Sequence, residues 1–498
     1  MLKLEAAPTT GTRLSNLLFD EFNRHEIIYC HWKSNEKLDD GMRGETDLDL
    51  LVSRDSFDQT VSILLDLGFK QAVVRSRVTT PGVLHFYALD PEIDELLHVH
   101  LYDRMMTGES LVKSHVLPLE NMLLDDCARQ GNVMVPSPET DAAVFVLRSY
   151  LKSGSVLHSW IHDRGGDPSE FWYPSQGVTA ESAFEALTEH ETVIEWELFR
   201  QCFNTLENGG TWKERWRLGK KVRRRVSHWQ RFSLLGRINA YAQTITNKLG
   251  RVRRGGISNK VLESGGAVIA FIGGDATGKS TLVGLTHRWL GKRLAVECVH
   301  VGKPKPSLVT LPFDVLLPVA RKCFPRDRHQ SRQAVDEGQD DAQSKRPISS
   351  LYAVRAVALA WNRSKLIRKI QRLTSTGEIV ICDRYPATSP GSTDGPRLSP
   401  GPGQSWLVRM LTRMEHRLYA QNPSPDIAIR LHVSLDTAKE RNRLRDKADK
   451  HDDQDLEIRH RKVKGWSRAG IRSMHDISTE PPPDQTFHAV QEAIWEAL

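Results

Sequence analysis

The chain is poor in cysteine, and no two of its cysteines stand close enough in sequence to share a metal. Cys30, Cys127, Cys202, Cys298, Cys323 and Cys382 are scattered over 498 residues without a CxxC pair. That pattern argues against a structural zinc site and predicts reduced thiols in a cytoplasmic compartment. Long apolar runs are also missing. None approaches the roughly 20 residues that cross a bilayer, and "MLKLEAAPTT" has no signal-peptide core. Internal repeats are absent. With 39% hydrophobic and 26% charged residues the composition is that of an ordinary soluble protein. The length is too great for one core and predicts two to four domains.

Acidic residues are scarce in one place. Between Thr211 and Lys260 there are fifteen Lys or Arg and a single acid, Glu214. This local balance of +14 exceeds the whole-chain charge of +7, so the remainder sums to −7. Trp212, Trp216, Trp229 and Phe232 lie among the arginines. A basic helical segment with an apolar stripe can serve as a solvated connector, or it can contact an anionic membrane or nucleic acid.

On either side of this connector the pattern is α/β. "GTRLSNLLFDEFNRH" and "SFDQTVSILLDLGF" read as helices, "TDLDLLV" and "ELLHVHLY" as strands, and residues 136–210 as mainly helical. "RRGGISNKVLESGG" reads as a boundary. The expected organisation is a domain over 1–150, a helical region with the basic connector over 151–260, and a second α/β domain over 265–498. Residues 325–347 are charged and nearly devoid of large apolar groups, and residues 386–404 are rich in Pro, Gly and Ser. Both read as poorly ordered.

What is present, and specific, is "GGDATGKST" at 273–281, preceded by the apolar "AVIAFI" and followed by "TLVGLTHRWL". Strand, glycine-rich loop and helix together form a Walker A phosphate cradle. Gly273, Gly274 and Gly278 allow backbone N–H groups to approach phosphate oxygens, and the helix N-terminus adds positive potential. Lys279 reaches the β and γ phosphates, and the hydroxyl of Ser280 can ligate Mg²⁺. The expected ATP-binding residues are Gly273, Gly274, Asp275, Ala276, Thr277, Gly278, Lys279, Ser280 and Thr281.

Two further stretches narrow the chemistry. "GEIVICDRYPATS" is a buried strand ending in Asp383-Arg384-Tyr385, and "PSPDIAIRLHVSLDTAKERNRLR" supplies Pro425-Asp426, a strand, and a helix with Arg441 and Arg445 on one face. With the Walker loop these resemble thymidylate kinases, P-loop nucleoside monophosphate kinases, over about residues 265–498. The resemblance implies a parallel sheet flanked by helices, ATP and Mg²⁺ as cofactors, nucleotide substrates, and allows a homodimer. It implies that Asp275 lies near the acceptor sugar and metal and that Asp383 is a metal-site acid. Arg384, Tyr385 and Arg363 of "ALAWNRSKL" would face the acceptor phosphate, and Arg441 and Arg445 would stand at the start of the lid region. Three positions depart from that family. Ala276 stands where Gly is common, Leu359 stands at the base-stacking position with Trp361 facing elsewhere, and residues 386–404 replace a base-reading helix. An ATP-binding regulatory module with little or no turnover is the alternative class.

The N-terminal half carries its own signal. Asp47 and Asp49 alternate along a predicted strand, so their carboxylates share a face. Lys33 and Ser34 precede them at a predicted strand–helix turn. This resembles the polymerase-β type of nucleotidyltransferase, in a less-characterised branch, over about residues 14–150, with Lys33 in place of Gly. The resemblance implies an α+β domain in which Asp47 and Asp49 hold Mg²⁺. Its third acid falls at His98, beside His100, with Asp94 and Glu95 just upstream. A His-x-His pair on one strand face is also a possible metal ligand set.

Overall fold

The computed structural model describes residues 11–75, 80–109, 112–153, 177–253, 258, 260–302, 348–390, 392, 394–399, 403–444 and 453–498. The stretch 325–347, Cys323 and Arg445 therefore lie outside the described residues. The chain divides into two compact units after Glu263.

The first unit opens with helix α1 (Arg13–Arg24), whose Thr12 cap accepts from the Ser15 amide. Strand β1 (Tyr29–His31), helix α2 (Leu38–Met42), strand β2 (Leu48–Val52), helix α3 (Phe57–Asp66) and strands β3 (Lys70–Val74), β4 (Val83–Asp90) and β5 (Glu95–Tyr102) follow. Two short ribbons come next, β6 (Met105–Thr107) with β7 (His115–Leu117), and β8 (Cys127–Gln130) with β9 (Val133–Pro136), with α4 (Glu120–Asp125) between them. Helices α5 (Pro138–Ser153), α6 (Ala180–Thr188), α7 (Trp196–Glu207), α8 (Trp212–Arg225) and α9 (Leu234–Arg253) lead to β10 (Lys260–Leu262). The main sheet runs β1-β2-β5-β4-β3-β10. Only the β2–β5 pairing is parallel.

Period-two alternation sorts this sheet's faces. Leu48, Leu50, Phe86, Leu97, Val99 and Leu101 join the core under α1. The intervening positions carry Asp49, Leu51, His85, Tyr87, His98, His100 and Tyr102. Leu51 and Tyr102 belong to a second core that also takes Leu147, Phe199, Leu218, Val222 and Trp229. Helices α5, α7 and α8 thus share one core with the N-terminal strands, so the expected boundary near residue 150 does not separate two packed bodies. Part of the connector's charge is internal: Arg223 pairs with Glu109 at 2.7 Å and donates to Leu151 O. Helix α9 instead leaves Leu235, Ile238, Ile245 and Leu249 exposed. Among the described residues no helix is long and apolar enough to cross a membrane.

The second unit is built on β11 (Val268–Gly273), every residue of which is buried. A continuous apolar run of this length suits a strand covered on both faces. Helix α10 (Lys279–Gly291), β12 (Val296–His300), α11 (Ser350–Thr374), β13 (Ile379–Asp383), α12 (Trp406–Gln421), β14 (Ile427–His432), α13 (Leu435–Arg443), α14 (Asp453–Lys464), β15 (Ser473–Ser478) and α15 (Pro483–Ala497) complete it. All five strands are parallel in the order β12-β13-β11-β14-β15. Pro425-Asp426 sits at the end of this sheet away from the Walker loop. The Asp426 carboxylate accepts from the Val268 amide at 2.8 Å and ties β14 to β11.

Candidate functional site

Parallel strands place their carboxyl ends together, and the connections leaving them form a crevice where the strand order reverses. Here β11 ends at Gly273 between β13 and β14, and the chain turns through the Walker loop into α10. The turn needs unusual backbone. Gly278 takes φ 79° and Ala276 takes φ 65°, a left-handed conformation that costs a residue with a Cβ roughly 1–2 kcal/mol. Ala276 stays there because its methyl is buried against Ala438 and Leu456. Gly274 is required for a different reason: a Cβ would meet the His460 ring at 2.6 Å.

Lys279 is buried, and its Nζ donates to Gly274 O inside the cradle. The Ser280 hydroxyl lies 3.5 Å from Asp383 Oδ2. Register explains that meeting, because Asp383 pairs with Phe271 of β11 and with His300 of β12. His300 Nδ1 stands 3.2 Å from Asp383 Oδ2, while Asp383 Oδ1 is buried without a hydrogen-bond partner. An oxygen-ligated hard cation fits that orphaned carboxylate oxygen and the serine hydroxyl beside it. Ser280 and Asp383 are the residues that would hold Mg²⁺.

Asp275, the one acid of the loop, is held on both carboxylate oxygens. Its Oδ1 accepts from Arg384 at 2.7 Å and its Oδ2 from Arg459 at 2.8 Å. Burial pushes its pKa up, but Arg384, Lys279 and Arg459 outweigh that and hold it at about 2. Arg384 adopts φ 70° and also faces Asp394 at 3.7 Å.

Other expected residues lie elsewhere. Tyr385 is buried in the core; its hydroxyl donates to Pro423 O and its carbonyl accepts from Trp466 Nε1. It supports the loop and offers no ring surface to an acceptor. Arg363 is 1% exposed and donates to Asp394, Tyr419 Oη and Gly302 O. Its guanidinium holds the segment after β13 in place. Arg441 donates to Thr479 at the end of β15. In the first unit, Ser34 takes φ 51° at the turn after β1. Asp47 falls one residue ahead of β2, and Lys33 donates to Asp49 at 2.9 Å.

Sequence reasoning missed Arg459, His460, His300 and Asp394. His460 Nε2 lies 2.8 Å from Asp275 O. Arg459 and His460 lie on α14, fourteen or more residues beyond Arg445, in the basic run "RHRKVK". That run was the available signal. Asp394 was hidden inside the Pro/Gly/Ser-rich stretch, where composition says nothing about which side chain turns inward.

No protein-family model matches the chain. Over 46% of its length it superposes on deoxyadenosine kinase from M. mycoides with bound dATP, covering 98% of that chain at 14% identity and a TM-score of 0.28. Thymidylate kinase from Candida albicans superposes over the same share, 91% of it covered, at 16% identity and a TM-score of 0.28. In sequence, the chain is 30% identical over 175 residues to the uncharacterised ATP-binding protein YghS of Escherichia coli K12, a stretch that makes up 34% of this chain and 71% of that protein. The chain belongs to the family of that E. coli protein.

Proposed function

We propose that the second unit is an ATP-dependent kinase that passes the γ-phosphoryl group to a nucleoside monophosphate. The observation that carries this is the convergence at one crevice of the Walker loop, the Ser280–Asp383 pair, and Asp275 held between Arg384 and Arg459. Phosphoryl transfer asks little covalent chemistry of a protein; it asks for two polyanions in line and compensation of the charge that spreads between them. Bound ATP with Mg²⁺ would supply the phosphoryl group. Lys279 and the loop amides would hold its phosphates, Ser280 and Asp383 would hold the ion, and Arg384 and Arg459, now bonded to Asp275, would turn to phosphate oxygens. Thymidine monophosphate is the acceptor that the sequence resemblance favours, and the ATP-binding designation of the E. coli relative supports the donor.

One observation favours a second reading, ATP binding that governs assembly without a nucleotide acceptor. Arg363 and Tyr385 are committed to protein partners, which leaves Arg384 and Arg459 to recognise an acceptor. A single screen separates the two. The full chain is incubated with ATP, Mg²⁺ and dTMP, dUMP, the other monophosphates or simple sugars, alongside Lys279→Ala. ADP formation with one acceptor, lost at least 100-fold in the variant, supports the kinase. ATP binding that the variant loses, with no turnover on any acceptor, supports the second reading. Turnover equal in the variant removes both.

A further inference from the structure

Three histidines meet on the face of the first unit's sheet opposite the α1 core. His98 and His100 alternate along β5, and His85 pairs with His100 across β4. One ring nitrogen from each lies within 4.8 Å of the other two. His85 Nδ1 and His98 Nε2 are 3.3 Å apart, while two nitrogens bound at 2.0–2.1 Å to one tetrahedral ion are separated by roughly 3.3 Å. His100 Nε2 is buried and makes no hydrogen bond, with Asp47 Oδ2 3.9 Å away.

The second nitrogen of each β5 histidine has a carboxylate. His98 Nδ1 lies 2.8 Å from Asp47 Oδ1, and His100 Nδ1 lies 3.0 Å from Asp49 Oδ1. Asp49 is in turn bonded to Lys33, which also donates to Tyr102 Oη at 2.6 Å. The Asp49 carboxylate hydrogen-bonded behind His100 fixes that ring's tautomer and turns its other nitrogen toward a metal, and Asp47 stands in the same relation to His98 at ion-pair distance. The rings are also held in place, since Tyr87 stacks on His98 at 4.2 Å and takes a hydrogen bond from Lys260.

We propose that His85, His98 and His100 bind a zinc-class divalent ion, with Asp47 and Asp49 as the acids that orient His98 and His100. Nitrogen donors select Zn²⁺ or its neighbours over Mg²⁺. Lys33 and Lys260 oppose a cation here, and the two aspartates offset them. The carboxylate pair that suggests a two-magnesium centre in sequence thereby acquires a different role.

The test uses the full chain with Zn²⁺, and with Co²⁺ as a spectroscopic probe. After loading and exhaustive dialysis, wild type should retain one more equivalent of Zn²⁺ than the double variant His85→Ala/His100→Ala, and the exposed control His228→Ala should match wild type. Co²⁺ should give the intense visible absorption of a tetrahedral nitrogen site in wild type, unaltered by excess Mg²⁺. Zn²⁺ should raise the melting temperature of wild type and not that of the double variant. Equal zinc retention in both proteins, or a wild-type Co²⁺ spectrum of the hexaaqua ion, overturns the proposal. If the double variant does not fold, as judged by circular dichroism, the wild-type Co²⁺ spectrum decides alone.

Discussion

Asp275 shows how one residue of the Walker loop couples charge to stability. Its pKa, held at about 2 against the ordinary 3.8, is lower folded than unfolded. The folded state therefore gains stability that is complete above about pH 5 and is lost as pH falls through about 2. The size is on the order of 2 kcal/mol, of which about 1 kcal/mol is gone by pH 3. Urea midpoints of wild type and Asp275→Asn measured from pH 6 to pH 3 should converge by that amount, whereas a constant gap would show that the carboxylate's charge is not what the arginines hold. Ala276 makes the complementary point. The sequence marks it as a departure, and the structure shows a strained φ of 65° tolerated because the methyl is buried.

At the scale of elements, α14 is the piece that composition did not single out. It closes on the Walker loop through Arg459 to Asp275, His460 to the Asp275 carbonyl, and Leu456 packed against Ala276. Arg441, which sequence places near a lid, is instead bonded to Thr479 on the other side of β14. In Arg459→Ala/His460→Ala, hydrogen exchange at the amides of 274–278 should rise at least tenfold while those of β11 stay protected. Unchanged loop exchange would show that α14 does not restrain it. Among its described residues, the segment after β13 is similarly fixed by side chains and forms no helix. Buried Glu415 of α12 accepts from the Arg397 and Leu398 amides at 3.0 and 2.9 Å, and Arg363 grips Asp394. Low complexity concealed an ordered turn because its anchors come from neighbouring helices.

For the whole molecule, the boundary between units has a defined position. β10 pairs antiparallel with β3 and buries Val261 and Leu262, so in sequence the first unit's last strand ends before residues 263–267, which lead into the Walker strand. A fragment ending at residue 263 should fold, and one ending at 257 should lose roughly 3 kcal/mol or more for the two aliphatic side chains. Their urea midpoints measure this; identical values would mean that β10 does not belong to the first unit.

The sequence alone determined the Walker strand, loop and helix, the buried strand ending in Asp383, and the alternation of Asp47 with Asp49. Each is local: periodicity, glycine spacing and apolar runs act within a dozen residues. Only the tertiary structure decided what those groups face. Asp383 meets Ser280 through strand register, Arg459 reaches Asp275 from 184 residues away, and His85 joins His98 and His100 because β4 and β5 pair antiparallel. Arg363 and Tyr385 look available in sequence and are buried in the fold, since a side chain's partners are set by which elements pack over it. Sequence specifies the reactive groups, and packing chooses their neighbours.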